Sequence, residues 1–296
     1  MLSRTFNLWF ARARRETTDI FIAQNHTGSW SFSEAIQDVL SKERTFSLEA
    51  YTLAKDVREM PALKVELKAL REHFESLPGV PLFVYSHRPV PVHLALRPAQ
   101  QPKARYLTLM RNPVSRVLSC YFWLAKRKQA DVHWVPQIIR DGASLDEWLD
   151  DLLARGQWPS GIWPGEYFYE SWLRAGLVPA KVGSGRYEVV KYVLDTYFPY
   201  IGITELFDES LYVFAQFKLL PCMPTWRLLG NSDRPDNSQI GAKTIEKIEQ
   251  FVELDTYLYE HYRKKFESDH AQEIAHFREH VGTLRGKQEV DHNPMI

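Results

Sequence analysis

Apolar residues along this chain fall into short dense runs separated by helical stretches, which is the spacing of a strand–helix–strand protein. Asp19–Gln24 (DIFIAQ) predicts a first strand, followed by a loop over Asn25–Ser31 and a helix over Phe32–Leu40. Residues 47–77 carry Leu53, Val57, Met60, Leu63, Leu67 and Leu70 at intervals of three or four, which predicts helix. Leu82–Tyr85 predicts a second short buried strand, with Ser86–Pro91 as a Pro-rich turn, and Tyr106–Met110 (YLTLM) a third. Pro113 then opens a helix, where its missing N–H costs nothing.

The second half continues the alternation less regularly. Trp134–Ala180 is interrupted by Pro and Gly and predicts an inserted or peripheral helical layer. Tyr200–Thr204 (YIGIT) predicts a late strand and Phe207–Leu219 the helix after it. Gly230–Ser238 is a polar loop. A long closing helix spans Ala242–Phe266 on the stripe Ile245, Ile248, Phe251, Leu254, Leu258 and Tyr262. Strands alternating with helices imply an α/β fold: a central, mainly parallel sheet flanked by helices, with helical additions. One domain is expected over residues 1–285, with the Trp-rich layer at about 131–180 and a mobile polar tail at 286–296.

Composition narrows the class. The chain has 296 residues, 37 basic against 37 acidic, and 45% hydrophobic residues. It is long enough for a sizeable core and too apolar for disorder. Zero net charge argues against bulk nucleic-acid binding, though a sum hides its distribution. Cys120 and Cys222 are the two cysteines, too few for a disulfide scaffold or a Cys-based zinc ribbon. One disulfide between them stays open, and two thiols in a reducing compartment are the expectation. No apolar run reaches transmembrane length, and Met1–Arg15 has no apolar core of a secretory signal, so a cytoplasmic protein is expected. That first stretch carries Arg4, Arg12, Arg14 and Arg15 among apolar residues, which suits a docked terminal helix or a membrane-surface segment alike.

Charge becomes informative locally. Residues 76–130 contain no Asp or Glu but nine Lys or Arg: Arg88, Arg97, Lys103, Arg105, Arg111, Arg116, Lys126, Arg127 and Lys128. The block predicts a positive field around an anionic ligand. A basic solvated face also covers Lys126–Lys128. Residues 131–170 are the reverse, with eight acids against Arg140 and Arg155. Six of the nine tryptophans (Trp123, Trp134, Trp148, Trp158, Trp163 and Trp172) lie in 50 residues, placed either to stack on sugar rings or to pack their own layer.

Two loops carry candidate chemistry. Arg111-Asn112-Pro113 joins a strand to a helix whose amino end offers N–H groups and partial positive charge to a phosphate, with Ser119 further along. A capped surface helix with incidental arginines satisfies the same pattern. His26-Thr27-Gly28-Ser29-Trp30-Ser31 supplies a glycine and hydroxyls after the first strand, as a phosphate-wrapping loop or an ordinary N-cap would. It is not a Walker A loop, since no Gly-Lys-Ser/Thr occurs there.

Taken in order, these segments resemble the PAPS-dependent sulfotransferases. Phe21–Phe32 (FIAQNHTGSWSF) is similar to that family's 5′-phosphosulfate loop, typically PKTGGTSL. Leu109–Phe122 (LMRNPVSRVLSCYF) resembles its 3′-phosphate motif, typically RDPVERFLSAYYF. Ile201–Leu211 (IGITELFDESL) is similar to VGLTERFDESL, and Phe251–Phe266 resembles the closing helix. The resemblance is to the carbohydrate type, near heparan 2-O-sulfotransferase-like and bacterial members.

That resemblance implies a P-loop-like fold binding 3′-phosphoadenosine 5′-phosphosulfate (PAPS) and releasing adenosine 3′,5′-bisphosphate; the two cysteines and scattered histidines show no ligand spacing, so no metal is expected. His26, Thr27, Gly28, Ser29, Trp30 and Ser31 would line the 5′ loop. Arg111 and Ser119 would take the 3′-phosphate, and Asn231, Ser232 and Arg234 would close over the nucleotide. Thr204 and Glu205 match a recurring pair to which no role attaches. His87, in Tyr85-Ser86-His87-Arg88-Pro89, corresponds to the base that takes the proton of an acceptor hydroxyl, with His93 a competitor. The acceptor would be a sugar or glycan. His26 stands where the family carries Lys, and a histidine replaces that charge only when protonated. The departure keeps open a non-catalytic nucleotide- or glycan-binding relative. A P-loop kinase-type transferase is the third reading, and the missing Gly-Lys-Ser/Thr counts against it.

Overall fold

Five short strands lie side by side, and every pairing among them is parallel: β1 (Thr18–Ile22), β2 (Thr45–Ser47), β3 (Phe83–Ser86), β4 (Ala104–Met110) and β5 (Tyr200–Ile203). Their order across the sheet is β2-β3-β1-β4-β5. Among the described residues the helices include, in chain order, α1 (Leu63–Ser76), α2 (Pro113–Lys126), α3 (Gln137–Arg140), α4 (Leu145–Arg155), α5 (Arg186–Tyr197), α6 (Phe207–Gln216), α7 (Ala242–Phe251), α8 (Glu253–Asp269) and α9 (271–280). This computed structural model describes residues 18–23, 45–47, 63–76, 83–86, 90–99, 101–127, 135–155, 169, 171–217 and 239–280.

Strand residues alternate between two cores, as the period of a strand requires. Ile20, Ile22, Val84, Tyr106, Met110 and Ile203 face one side. There they pack against Leu70 and Phe74 of α1, Val190, Val193 and Leu194 of α5, and Leu258, Tyr262 and Phe266 of α8. Phe21, Phe83, Tyr85, Leu107 and Leu109 face the other side, against Phe207, Leu211 and Phe214 of α6. Covering both faces is why Ile20–Ile22 of β1 and Phe83–Tyr85 of β3 are continuous apolar runs. A third core joins Val117, Leu118 and Leu124 of α2 to Trp148 and Leu149 of α4 and to Ile248 beside Val252. In the described part of the chain after residue 131, α3 and α4 pack on α2 through this core.

Gly202 in β5 is required by close packing. A Cβ there would come within 2.7 Å of a Leu109 methyl, 2.8 Å of the Phe214 ring and 2.9 Å of Ser210 Cβ. Next to it, Ser210 Oγ accepts the Ile203 N–H at 2.8 Å and donates to the Ile203 carbonyl at 3.0 Å, tying α6 to the end of β5.

Three elements depart from the sequence expectation. Thr45–Ser47 is strand where the helical expectation began at residue 47, because three residues at a sheet edge are too few to show alternation. Helix α5 carries buried Val189, Val190, Val193 and Leu194, and its β-branched residues gave no clear helical signal. The single long C-terminal helix is two, broken at Val252, whose N–H bonds both Ile248 O and Glu249 O. The break turns one apolar stripe toward two cores: Ile248 and Val252 serve the third, Leu258 and Tyr262 the first.

Candidate functional site

Three adjacent strands end at one edge of the sheet. Ile22 is in register with Ser86 of β3 and with Thr108 of β4. Just beyond, the Ala23 N–H donates to the Ser86 carbonyl at 2.7 Å. On the other side, buried Thr108 Oγ1 donates to the Ile22 carbonyl at 2.7 Å. Met110 ends β4, so Arg111 leaves from the same edge. In open parallel sheets, ligands bind beyond the carboxyl ends of the strands where the strand order reverses. Here β1 is that place, since the chain runs from it to β2 on one side and later crosses from β3 to β4 on the other.

Of the expected site residues, Arg111 and Ser119 lie among the described ones. His26, Thr27, Gly28, Ser29, Trp30, Ser31, His87, Asn231, Ser232 and Arg234 lie outside them, as do residues 1–17. The described chain nevertheless reaches Ala23, three residues before His26, and Ser86, immediately before His87. Those two anchors share the hydrogen bond just given.

The start of α2 corrects one expectation. Its terminus is satisfied largely from within the protein. Asn112 is the N-cap, and its Oδ1 accepts the Ser115 N–H at 3.0 Å, while Pro113 fills the first helical position. The Asn112 N–H donates to Glu205 Oε1 at 2.9 Å. Glu205 sits in the short turn Thr204–Leu206 after β5, and its other oxygen accepts the Tyr259 hydroxyl of α8 at 3.0 Å. Burial and the adjacent Glu205 charge push the Tyr259 hydroxyl up to about 12, so it stays a donor. A carboxylate thus already answers the positive end of α2. Arg111, which follows β4, and Ser119 of α2 are both half-buried. A guanidinium fork and a hydroxyl fit a phosphate ester in donor chemistry.

The positive block is also different in space. Arg116 is buried and bonds the equally buried Asp255 of α8. Burial pushes the Asp255 carboxyl upward and the Arg116 charge opposes it. Arg105 forks onto Asp19 at 2.7 and 3.0 Å, at the amino ends of β4 and β1, away from the candidate edge. Lys103 precedes β4 at that same far end. Arg127 lies 4.1 Å above the Trp123 ring. Two of the nine charges in this acid-free stretch, Arg105 and Arg116, are thus met by acids from elsewhere in the chain.

His93 is not at the edge. Its Nδ1 lies 2.9 Å from the hydroxyl of Tyr106, in the first half of β4, and its ring packs on Trp172 and Tyr197. Burial lowers it to about 4, so it is neutral and structural. Trp148 and Trp172 are wholly buried and serve as core, not as sugar platforms. Cys120 is free and buried, its thiol pushed up to about 12. Asp255, Tyr259 and the role of Glu205 were missed from the sequence. Only the Thr204–Glu205 pair and the likeness of Phe251–Phe266 to a closing helix hinted at them.

No protein-family model matches the chain, and no curated protein matches it. Among solved structures it is similar to a sulfotransferase from Alicyclobacillus acidocaldarius, with 15% identity and a TM-score of 0.40 over 83% of this chain and 95% of that one. At that distance the likeness carries no functional argument. No helix among the described residues is long and apolar enough to cross a membrane, and no cluster of three metal-ligating side chains occurs among them.

Proposed function

We propose that this protein is a sulfotransferase that moves a sulfuryl group from PAPS to an acceptor hydroxyl, on a sugar or glycan. The observation that supports it is the Ala23–Ser86 hydrogen bond beside the end of β4. It brings to one edge the attachment points of the three segments that resemble sulfotransferases: the loop at His26–Ser31, His87, and Arg111 with Ser119. PAPS supplies the sulfuryl group and a phosphate leaving group. Arg111 and Ser119 hold the 3′-phosphate, and His87 takes the acceptor proton as the new S–O bond forms and the bridging S–O bond to phosphate breaks. Orientation and charge stabilisation supply most of the rate.

Calorimetry with adenosine 3′,5′-bisphosphate, run beside ATP, tests the donor site. The bisphosphate is expected to bind and ATP to bind weakly or not at all. Arg111→Ala is expected to lose bisphosphate binding, and tight binding by that variant removes the 3′-phosphate assignment. Transfer of labelled sulfate from PAPS across an acceptor panel tests the chemistry. His87→Ala should abolish transfer while bisphosphate affinity is kept. The His26 departure from Lys favours one other reading, a nucleotide- or glycan-binding relative without turnover. Bisphosphate binding with no transfer to any acceptor would select it.

A further inference from the structure

Helix α8 holds the first turn of α2 at two points. Asp255 and Tyr259 lie four residues apart, on one face of α8. Asn112 and Arg116 lie four residues apart at the start of α2, where the Arg116 N–H donates to the Asn112 carbonyl at 2.9 Å. The first point is the buried pair of Asp255 with Arg116. The second runs through the turn after β5. There the hydroxyl of buried Tyr259 donates to Glu205 at 3.0 Å, and the other oxygen of that carboxylate accepts the Asn112 N–H at 2.9 Å. The Arg263 guanidinium, one turn further along α8, lies 3.5 Å from the same hydroxyl. The two residues assigned to the 3′-phosphate flank this clamped turn, Arg111 directly before Asn112 and Ser119 three residues after Arg116.

We propose that Tyr259 is a positioning residue for the nucleotide 3′-phosphate. Acting through Glu205, it fixes where α2 begins and so sets how strongly the donor site prefers a nucleotide carrying that phosphate. The assignment rests on the sulfotransferase reading above and adds the residue that tunes its donor specificity. One contact lets a helix end pivot, whereas two contacts a turn apart fix both its rotation and its position along the axis. Binding groups held in place beforehand lose less to ordering when the ligand arrives, so the gain appears as affinity for the phosphate they meet. The ion pair of Asp255 with Arg116 is too deeply buried to be removed without a large cost in stability. The Tyr259 link is one neutral hydroxyl on a ring that stays packed without it. Tyr262, three residues on, is the contrast. Its hydroxyl donates to α5 instead, at 3.2 Å from the Lys191 carbonyl oxygen and 2.9 Å from Asp195.

Calorimetry on the full chain tests this, with adenosine 3′,5′-bisphosphate titrated directly and adenosine 5′-monophosphate measured by displacement. The ratio of the two affinities isolates what the 3′-phosphate adds. Tyr259→Phe is expected to lower that ratio about fivefold by weakening the bisphosphate alone. Tyr262→Phe removes the same group from the same helix and should keep the wild-type ratio. In a Glu205→Ala background, Tyr259→Phe should lower the ratio no further, because the hydroxyl acts through that carboxylate. A Tyr259→Phe ratio within about twofold of the wild type overturns the inference and leaves the sulfotransferase reading standing. An equal fall in both single variants, or an added fall in the Glu205→Ala background, also overturns it, since the effect is then general or takes another route. A wild type without preference for the bisphosphate overturns the reading itself, and the inference with it.

Discussion

The carboxylate of Glu205 accepts the backbone N–H of Asn112, 93 residues away in sequence, at 2.9 Å. It joins the turn after β5 to the residue that follows Arg111. Because the same carboxylate holds Tyr259, one side chain ties β5, α8 and the start of α2 together.

Replacing Glu205 by Ala should leave that N–H and the Tyr259 hydroxyl without their acceptor. A loss of about 1–2 kcal/mol is expected in urea unfolding, with weaker bisphosphate binding as Arg111 loses its support. Glu205→Gln keeps an acceptor for Asn112 and removes a negative charge from the edge, so its bisphosphate affinity should equal or exceed that of the wild type. Affinity lost equally in both variants would show that the charge, not the tether, matters.

The buried Arg116–Asp255 pair joins α2 to α8. Asp255→Ala leaves a buried guanidinium uncompensated and should cost about 3–5 kcal/mol. The double variant Arg116→Met with Asp255→Leu should recover most of that loss. Chemical denaturation of the three proteins measures both, and a single variant within 1 kcal/mol of the wild type contradicts the burial argument.

His93 makes stability depend on pH. Unfolded, it takes up a proton near pH 6.5; folded, burial delays uptake to about 4. Between those values the unfolded chain binds more protons. Its contribution is therefore complete above pH 6.5 and declines as pH falls toward 4, by about 3 kcal/mol at most. His93→Phe, which keeps a ring against Trp172, should flatten the pH dependence of unfolding between pH 7.5 and 4.5. An unchanged slope would assign the acid sensitivity elsewhere.

Thr108→Val should retain the fold and lose the hydroxyl bond to the Ile22 carbonyl between β4 and β1. A cost of about 1–3 kcal/mol is expected, since that buried carbonyl loses a partner. A shift in the denaturation midpoint with an unchanged slope would identify it as a stability effect alone.

Local rules made much of the fold legible. DIFIAQ and YLTLM read as strands because residues buried on both faces of a parallel sheet must be apolar almost without interruption. Pro113 marked the start of α2 because proline suits a first helical turn and little else in a helix. The strand Thr45–Ser47 and the break at Val252 were not legible. Each is decided by a neighbour distant in sequence: the edge of β3 for the first, the division between two cores for the second.

The sequence by itself determined the alternation of strands and helices, the order of the candidate segments, and the presence of Arg111 and Ser119 after β4. Only the tertiary structure decided which charges meet an acid from a distant part of the chain. Arg105 meets Asp19 across 86 residues and Arg116 meets Asp255 across 139. Glu205 occupies the helix end that had looked open to a phosphate. Charge acts through space at a few ångströms, so a block with no acid in its own 55 residues can still be neutralised by the rest of the chain.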